Sequence, residues 1–471
     1  MKKIRLFSLT LSVILALGLF LIPVKAEDAP AVQLGCSSLQ AGLPLGGSEQ
    51  LLPTADAVIL YELNTKTMVY AYHPDDRLNP SSMVKIMAAL VALESGDLED
   101  VVTVRRETLD SIPIGTVSAG LRRDEEVTLK DLLYCCVVGS ANDATAVLAE
   151  HIAGSQAAFV DLMNEKARSL GCRDTFFSNV NGLNDDMQYS TARDLAIITE
   201  QALQNAAFTQ MFCADQYTMP ATNLSDERII YTTNYMTSDV KVKGYTDDRV
   251  TGGKTGATEQ AGRCLAVTAE VGNMELVGIV MGAAAEYEES GLALTVNYSF
   301  MEMSQLLDHA EDTFTCSQLF FVGQVLDRYA VTNGANDVAV MPADEARCVL
   351  PVTATATDLI WEHSKSVGLT APVSKGQTVA DITVWYNGIC LAQTDLVAMT
   401  DVGIYQAYEV PGGEDDQEEI HGQILATILG VIAGIAVLIF VAMLLIRAIN
   451  TAMLKARVRR RRRNRRRNRH V

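Results

Sequence analysis

The chain contains no H-E-x-x-H signature and no G-x-S-x-G turn, and it has only six histidines. A zinc peptidase or a hydrolase built on a Ser-His-Asp triad is therefore not expected. Cysteine is thinly spread. Nine residues (Cys36, Cys135, Cys136, Cys172, Cys213, Cys264, Cys316, Cys348 and Cys390) stand without one C-x-x-C pair. That spacing supports neither a zinc site nor a compact disulfide framework, and buried free thiols are the expectation. Positive charge is scarce in the middle of the chain. Of 38 Lys and Arg, 12 lie after Ile446 and 4 before Glu27, which leaves 22 against 57 Asp and Glu for residues 27–446. So acidic a segment excludes a polyanion-binding role and predicts no nucleic-acid partner. There is no internal repeat, and no metal or cofactor is expected.

The two ends are what this middle is not. Lys2, Lys3 and Arg5 precede an apolar run from Leu6 to Ile22, and Val24-Lys25-Ala26 has the small residues of a cleavage site. Residues 1–26 read as a secretory signal, with an uncleaved anchor as the alternative. Near the other end, Ile424 to Ile446 carries no charge. At helical rise its 23 residues span roughly 35 Å, enough for a hydrocarbon core of about 30 Å. The tail 447–471 follows with Arg447, Lys455, Arg457, Arg459 to Arg463, Arg465 to Arg467 and Arg469. Positive flanks stay in the cytoplasm, which places the exterior between signal and span. A stop-transfer signal that also meets anionic lipid is the favoured reading of the tail; a nucleic-acid arm is the other.

Between the ends the periodicity changes twice. Residues 27–52 are aperiodic and read as a lead-in. Val58 to Tyr61 and Thr67 to Tyr70 alternate about Asn64-Thr65-Lys66, a hairpin pattern. Met83 to Glu94 is apolar all round, which predicts a buried helix ended at Ser95-Gly96. Helical stripes run from Leu129 to about Asn205. Strands return at Lys254 to Thr258, Cys264 to Val271 and Leu276 to Met281, and a helix from Tyr298 to Ala310 closes the unit. Strands, helices, strands and a helix imply an antiparallel sheet with packed helices. Beyond Thr315, short β-type runs alternate with turns as far as Pro411-Gly412-Gly413-Glu414-Asp415-Asp416. The expected division is 1–26 signal, 27–52 lead-in, 53–315 first domain, 316–410 β-rich domain, 411–423 acidic linker, 424–446 span and 447–471 tail.

Three peptides carry the chemistry: Ser82-Met83-Val84-Lys85, Ser140-Ala141-Asn142 and Lys254-Thr255-Gly256. Alone, each is weak; S-x-x-K is expected on the order of once by chance in such a length. In this order they make a serine acyl-transfer set. At a helix start, positions i and i+3 put Ser82 and Lys85 on one face, so a neutral Lys85 can take the hydroxyl proton. The positive end of the helix and a second cation, Lys254, would both lower the Lys85 pKa. Ser140 and Asn142 could be ordinary helix caps. Beside the other peptides, Ser140 reads as a proton relay and Asn142 as an amide holding substrate and Lys85. On a strand, Lys254 and Thr255 offer a charge and a hydroxyl to a carboxylate, and Gly256 lets a peptide lie along the strand edge.

The chain strongly resembles the D-alanyl-D-alanine carboxypeptidases, low-molecular-weight penicillin-binding proteins of the peptidase S11 type. The likeness runs from about Asp56 to Phe314. It takes in Pro80 to Met87, Leu132-Leu133-Tyr134, Asn142-Asp143-Ala144, Phe176 to Asn179 with Gly182-Leu183, and Ser190 to Asp194. Residues 316–410, with Ala371 to Gly376, resemble the family's C-terminal domain. The resemblance implies an α+β fold, a β-lactamase/transpeptidase-like domain followed by a small all-β domain, to which the apolar run 424–446 adds one C-terminal transmembrane helix.

It also implies Ser82 as nucleophile, Lys85 as base, and Ser140 and Asn142 as the second wall of the cleft. Lys254 and Thr255 would bind the substrate carboxylate, and the N–H groups of Ser82 and Ala257 would form the oxyanion hole. The implied partners are a peptidoglycan pentapeptide ending in D-Ala-D-Ala, β-lactams as inhibitors, and membrane lipids. Three positions depart from the family: Ala141 replaces a common Gly, a full span replaces an amphipathic anchor, and Ser299 stands where an Arg often precedes Phe300. Arg263, after the K-T-G turn and near Thr258, is the candidate to supply that missing cation. A β-lactamase and a membrane-anchored β-lactam or wall sensor are the alternatives. The first lacks a recognisable water-activating Glu; the second has only 25 residues after the span for a signalling domain.

Overall fold

The computed structural model describes residues 44–45, 51–52, 54–289, 294–364, 368–406, 422 and 424–447. The expected signal, most of the lead-in and the acidic linker, and the tail beyond 447 lie outside the described residues.

The expected hairpin forms from β1 (Ala57–Glu62) and β2 (Thr67–Tyr72). With β3 (Val250–Thr258), β4 (Gly262–Val271) and β5 (Met274–Ala283) it makes one antiparallel sheet, ordered β2-β1-β5-β4-β3. Every residue of β1 is buried because this sheet is covered on both faces. Alternation sorts its side chains. Ala57, Ile59 and Tyr61 join one core, while Val58 and Leu60 join the other.

The first core is filled by helices. α1 (Val84–Ser95) buries nine of its twelve residues, as its all-round apolar sequence requires. Around it lie α2 (Leu129–Val137), α3 (Asn142–Ala153), α4 (Gln156–Ser169), α5 (Ala192–Leu203) and α6 (Ala206–Phe212). The opposite face is covered by α7 (Tyr298–Thr313) through Phe300, Met303, Leu306, Leu307 and Ala310. This helix continues one turn beyond the expected Ala310.

The β-rich segment contains a five-stranded antiparallel sheet. Its spatial order is Asp327–Tyr329, Val338–Pro342, Ile389–Ala398, Thr378–Tyr386 and Leu359–His363. A separate pair, Phe314–Phe320 with Ala346–Pro351, joins this segment to the first. Asn273, in the β4–β5 turn, bonds both the N–H and the carbonyl of Cys316. A second unit begins at Tyr405, and its described helix Ile424–Arg447 is exposed along its length and long and apolar enough to cross a membrane.

The expectation of buried free thiols needs correcting at two positions. Cys213 is free but exposed, and Cys390 is disulfide-bonded. Scattered spacing cannot reveal which thiols folding exposes or pairs.

One buried ion pair fixes the loop that borders α3. Glu125, fully buried, pairs with Arg228, which also donates to the carbonyls of Ala119 (3.2 Å) and Gly120 (3.0 Å). Asp143 holds the same loop by accepting from Ser118 Oγ and from the N–H groups of Ala119 and Leu121. Replacing Arg228 leaves the Glu125 carboxylate buried without its charge partner. Arg228→Met should lower the unfolding free energy by about 3–5 kcal/mol, checked by denaturant melts of the full chain.

Candidate active site

The turn that carries Ser82 is built from four short polar or imino residues. Asn79 Oδ1 accepts from Ser81 N (2.9 Å), and Met83 N donates to Pro80 O (3.2 Å). A 3₁₀ turn over Ser81–Met83 then runs into α1. Ser81 takes a φ of 48°, a left-handed conformation that short polar residues tolerate better than β-branched ones.

One helical turn on, Lys85 Nζ donates to Ser82 Oγ at 3.1 Å and to the backbone carbonyl of Asn181 at 2.5 Å. Lys85 is wholly buried, and that burial pushes its pKa down to about 8 against weaker opposing effects of Cys136 and Asp143. Desolvation is thus the largest cause, where the sequence suggested the helix and a second cation. The repulsion between the two amines is felt at Lys254 instead. Lys254 is also buried and is held well below its ordinary value, first by burial and then by Lys85.

Ser140 stands between α2 and α3 with φ 58°. Its hydroxyl accepts from Lys254 Nζ at 2.7 Å, which joins the second and third peptides. The cap alternative is not realised: Ala141 is the N-cap of α3, with no side-chain cap bond. Asn142 opens α3, and its N–H donates to Val117 O at 2.8 Å. The Asn142 Oδ1 is buried without a protein partner, so the expected bond from this oxygen to Lys85 is not made.

Lys254-Thr255-Gly256 lies on β3, the edge strand, as expected. Lys254 Nζ also donates to Thr255 O at 3.0 Å. A Cβ on Gly256 would stand 3.1 Å from Pro80 O and 3.2 Å from Ser82 N. Glycine therefore lets β3 lie against the Ser82 turn. Ala257 is exposed on the same strand, opposite Arg263. Arg263 is not turned to Lys254 or Thr255 by any hydrogen bond. It donates to Tyr287 Oη at 2.7 Å and lies over that ring. Ser299 is buried and donates to Asn297 Oδ1 at 2.8 Å.

Two groups of residues were given no place at the site by the sequence alone. Asn181 and Gly182 belong to a turn in which Asn179 Oδ1 accepts from the N–H groups of Asn181, Gly182 and Leu183. The N-x-N-G-L string carried the turn signal but not its proximity to Lys85. Thr233 and Asn234 pack behind Thr255 and Gly253, and no spacing pattern announces them. Among the described residues no cluster of three or more potential metal-ligating side chains occurs.

Residues 48–285 match the family model described as D-alanyl-D-alanine carboxypeptidase, peptidase S11. Residues 314–403 match that of the penicillin-binding protein 5 C-terminal domain. The D-alanyl-D-alanine carboxypeptidase DacF of Bacillus subtilis is 28% identical over 361 residues, covering 75% of this chain and 87% of its own. DacC of Escherichia coli is 29% identical over 366 residues, covering 74% and 84%. The solved penicillin-binding protein 5 of Haemophilus influenzae aligns with a TM-score of 0.60 at 27% identity, over 76% of this chain and all of that one.

Gly182 offers a sharp test of the wedge behind Ser82. Its φ is +76°, and a Cβ would stand 2.0 Å from Ser81 O. Gly182→Ala should slow acylation of Ser82 at least tenfold, and its backbone conformation alone should cost about 1–2 kcal/mol of stability. Stopped-flow acylation together with thermal melting checks both.

Proposed function

The chain belongs to the D-alanyl-D-alanine carboxypeptidase family, peptidase S11, and within that family we propose Ser82 as its nucleophile and Lys85 as its base. The protein is a serine-type D-Ala-D-Ala carboxypeptidase. Such an enzyme removes the terminal D-alanine of peptidoglycan stem pentapeptides through an acyl-serine, and β-lactams acylate it. The observation that carries the residue roles is the pair of buried contacts, Lys85 to Ser82 and Lys254 to Ser140.

Neutral Lys85 accepts the hydroxyl proton as Ser82 Oγ attacks the carbonyl of the penultimate D-alanine. The N–H groups of Ser82 and Ala257 receive the oxyanion, where fixed donors need no reorganisation. Ser140, bonded to Lys254, relays to the departing amine the proton that Lys85 took, so the C–N bond breaks with Lys85 neutral again. Deacylation reverses the sequence, with water as nucleophile and Lys85 again as base. Lys254, Thr255 and Gly256 seat the terminal carboxylate and the peptide edge. Arg263 would add to carboxylate binding only on leaving Tyr287.

The helix Ile424–Arg447 suits a membrane anchor. We propose that the catalytic domain is extracytoplasmic, that the Arg-rich tail is cytoplasmic and meets anionic lipid, and that residues 1–26 are the export signal. The domain limits at 53–315 and 316–410 belong to the same proposal.

Two measurements test the catalytic roles. Labelled penicillin should bond covalently to Ser82, and Ser82→Ala should lose both the label and D-alanine release; label on another residue would overturn the assignment. A base whose pKa is lowered to about 8 is neutral above that pH and protonated below it. The kcat/KM for D-alanine release should therefore climb through a limb near pH 8 and fall about tenfold for each unit of pH further into acid.

A further inference from the structure

We infer that Thr233 is a positioning residue of the carboxylate site, setting the direction in which the Thr255 hydroxyl donates. This deepens the reading of Ser82 as the acylated serine and Thr255 as a carboxylate ligand, and it rests on both.

Thr233 lies in the segment that follows the strand Arg228–Tyr231 and touches both walls of the cleft. Its N–H donates to Val138 O at 3.3 Å, two residues before Ser140. Its hydroxyl oxygen lies 2.7 Å from Thr255 Oγ1, from which it accepts. The surroundings leave this segment little freedom. Asn234 is buried, and its Oδ1 accepts from Met236 N at 3.1 Å. A Cβ on Gly253 would come within 2.5 Å of Asn234 Nδ2, and one on Gly139 within 2.5 Å of Ile230 Cγ2. Backbone contact on both sides thus fixes where the Thr233 hydroxyl stands.

The two hydroxyls form a chain with two senses. In one, Thr255 donates inward to Thr233 and presents only lone pairs to the cleft, which repel a carboxylate. In the other, Thr233 donates to Thr255 and Thr255 donates outward to the carboxylate. Rotating two O–H bonds converts one into the other, and Thr255 oxygen keeps a partner throughout. In the outward sense each bond polarises the next, so Thr255 becomes a stronger donor to an anion. Carboxylate recognition leans on such hydroxyls because Arg263 is engaged by Tyr287 and Ser299 by Asn297.

The test compares acylation of the full-length protein in detergent by one penicillin as its free acid and as its methyl ester. Thr233→Val removes the hydroxyl at nearly constant volume and keeps the N–H to Val138. It should slow acylation by the acid about three- to tenfold, the range of one net hydrogen bond, and change the ester rate less than twofold. Thr233→Ser should restore the acid rate to within about twofold of the parent, since the hydroxyl returns. Equal loss on acid and ester, an unchanged acid rate, or no rescue by serine would overturn the inference while leaving Ser82 as nucleophile. If the unsubstituted protein carried no label on Ser82, the underlying assignment would fall, and this inference with it.

Discussion

Two lysine amines taken out of water in one cleft are the constraint on which the rest of the site depends. A buried ammonium loses its hydration, and a second one close by adds repulsion, so the pair cannot hold two protons at ordinary lysine pKa values. The structure answers with a hydroxyl for each, Ser82 for Lys85 and Ser140 for Lys254, and with the carbonyls of Asn181 and Thr255. The result is a Lys85 amine poised near 8 and a second amine also pulled down. The proposed activation of Ser82 and the proposed proton return to the leaving amine both rest on that arrangement.

Such an arrangement needs backbone where side chains would ordinarily be. Gly256 brings β3 against the Ser82 turn, and Gly182 lies on Ser81 O. Ser81 and Ser140 both sit at positive φ. Conformations of this kind cost of order 1–3 kcal/mol each and persist only where the surroundings over-determine them. Here the surroundings are the sheet, α1 and α3. Their apolar faces fill the two cores, and the buried Glu125–Arg228 pair holds the loop that borders α3. Stability spent on strain at the cleft is thereby returned by packing outside it.

Much of this was legible in the linear sequence. The residues of S-x-x-K, S-x-N and K-T-G are chemically constrained at fixed local spacings, so Ser82–Lys85 and the K-T-G strand could be read directly. Alternation about Asn64-Thr65-Lys66 and the apolar stretch from Met83 to Glu94 foretold the hairpin and the buried helix because their periods are properties of single elements. The apolar run 424–446 and the charge division between residues 447–471 and residues 27–446 were equally local.

Other features depended on what folding juxtaposed. Asn181 meets Lys85 across 96 positions, and Thr233 meets Thr255 across 22, through contacts that no short pattern encodes. Arg263 was placed near the right turn by hairpin register, yet Tyr287, a ring on a neighbouring strand, decided where its guanidinium went. Burial itself was the largest such decision. The sequence determined that two lysines and two serines would be present with local spacings suited to acyl transfer. Only tertiary packing could desolvate the amines, because removing water from a side chain takes elements from all around it.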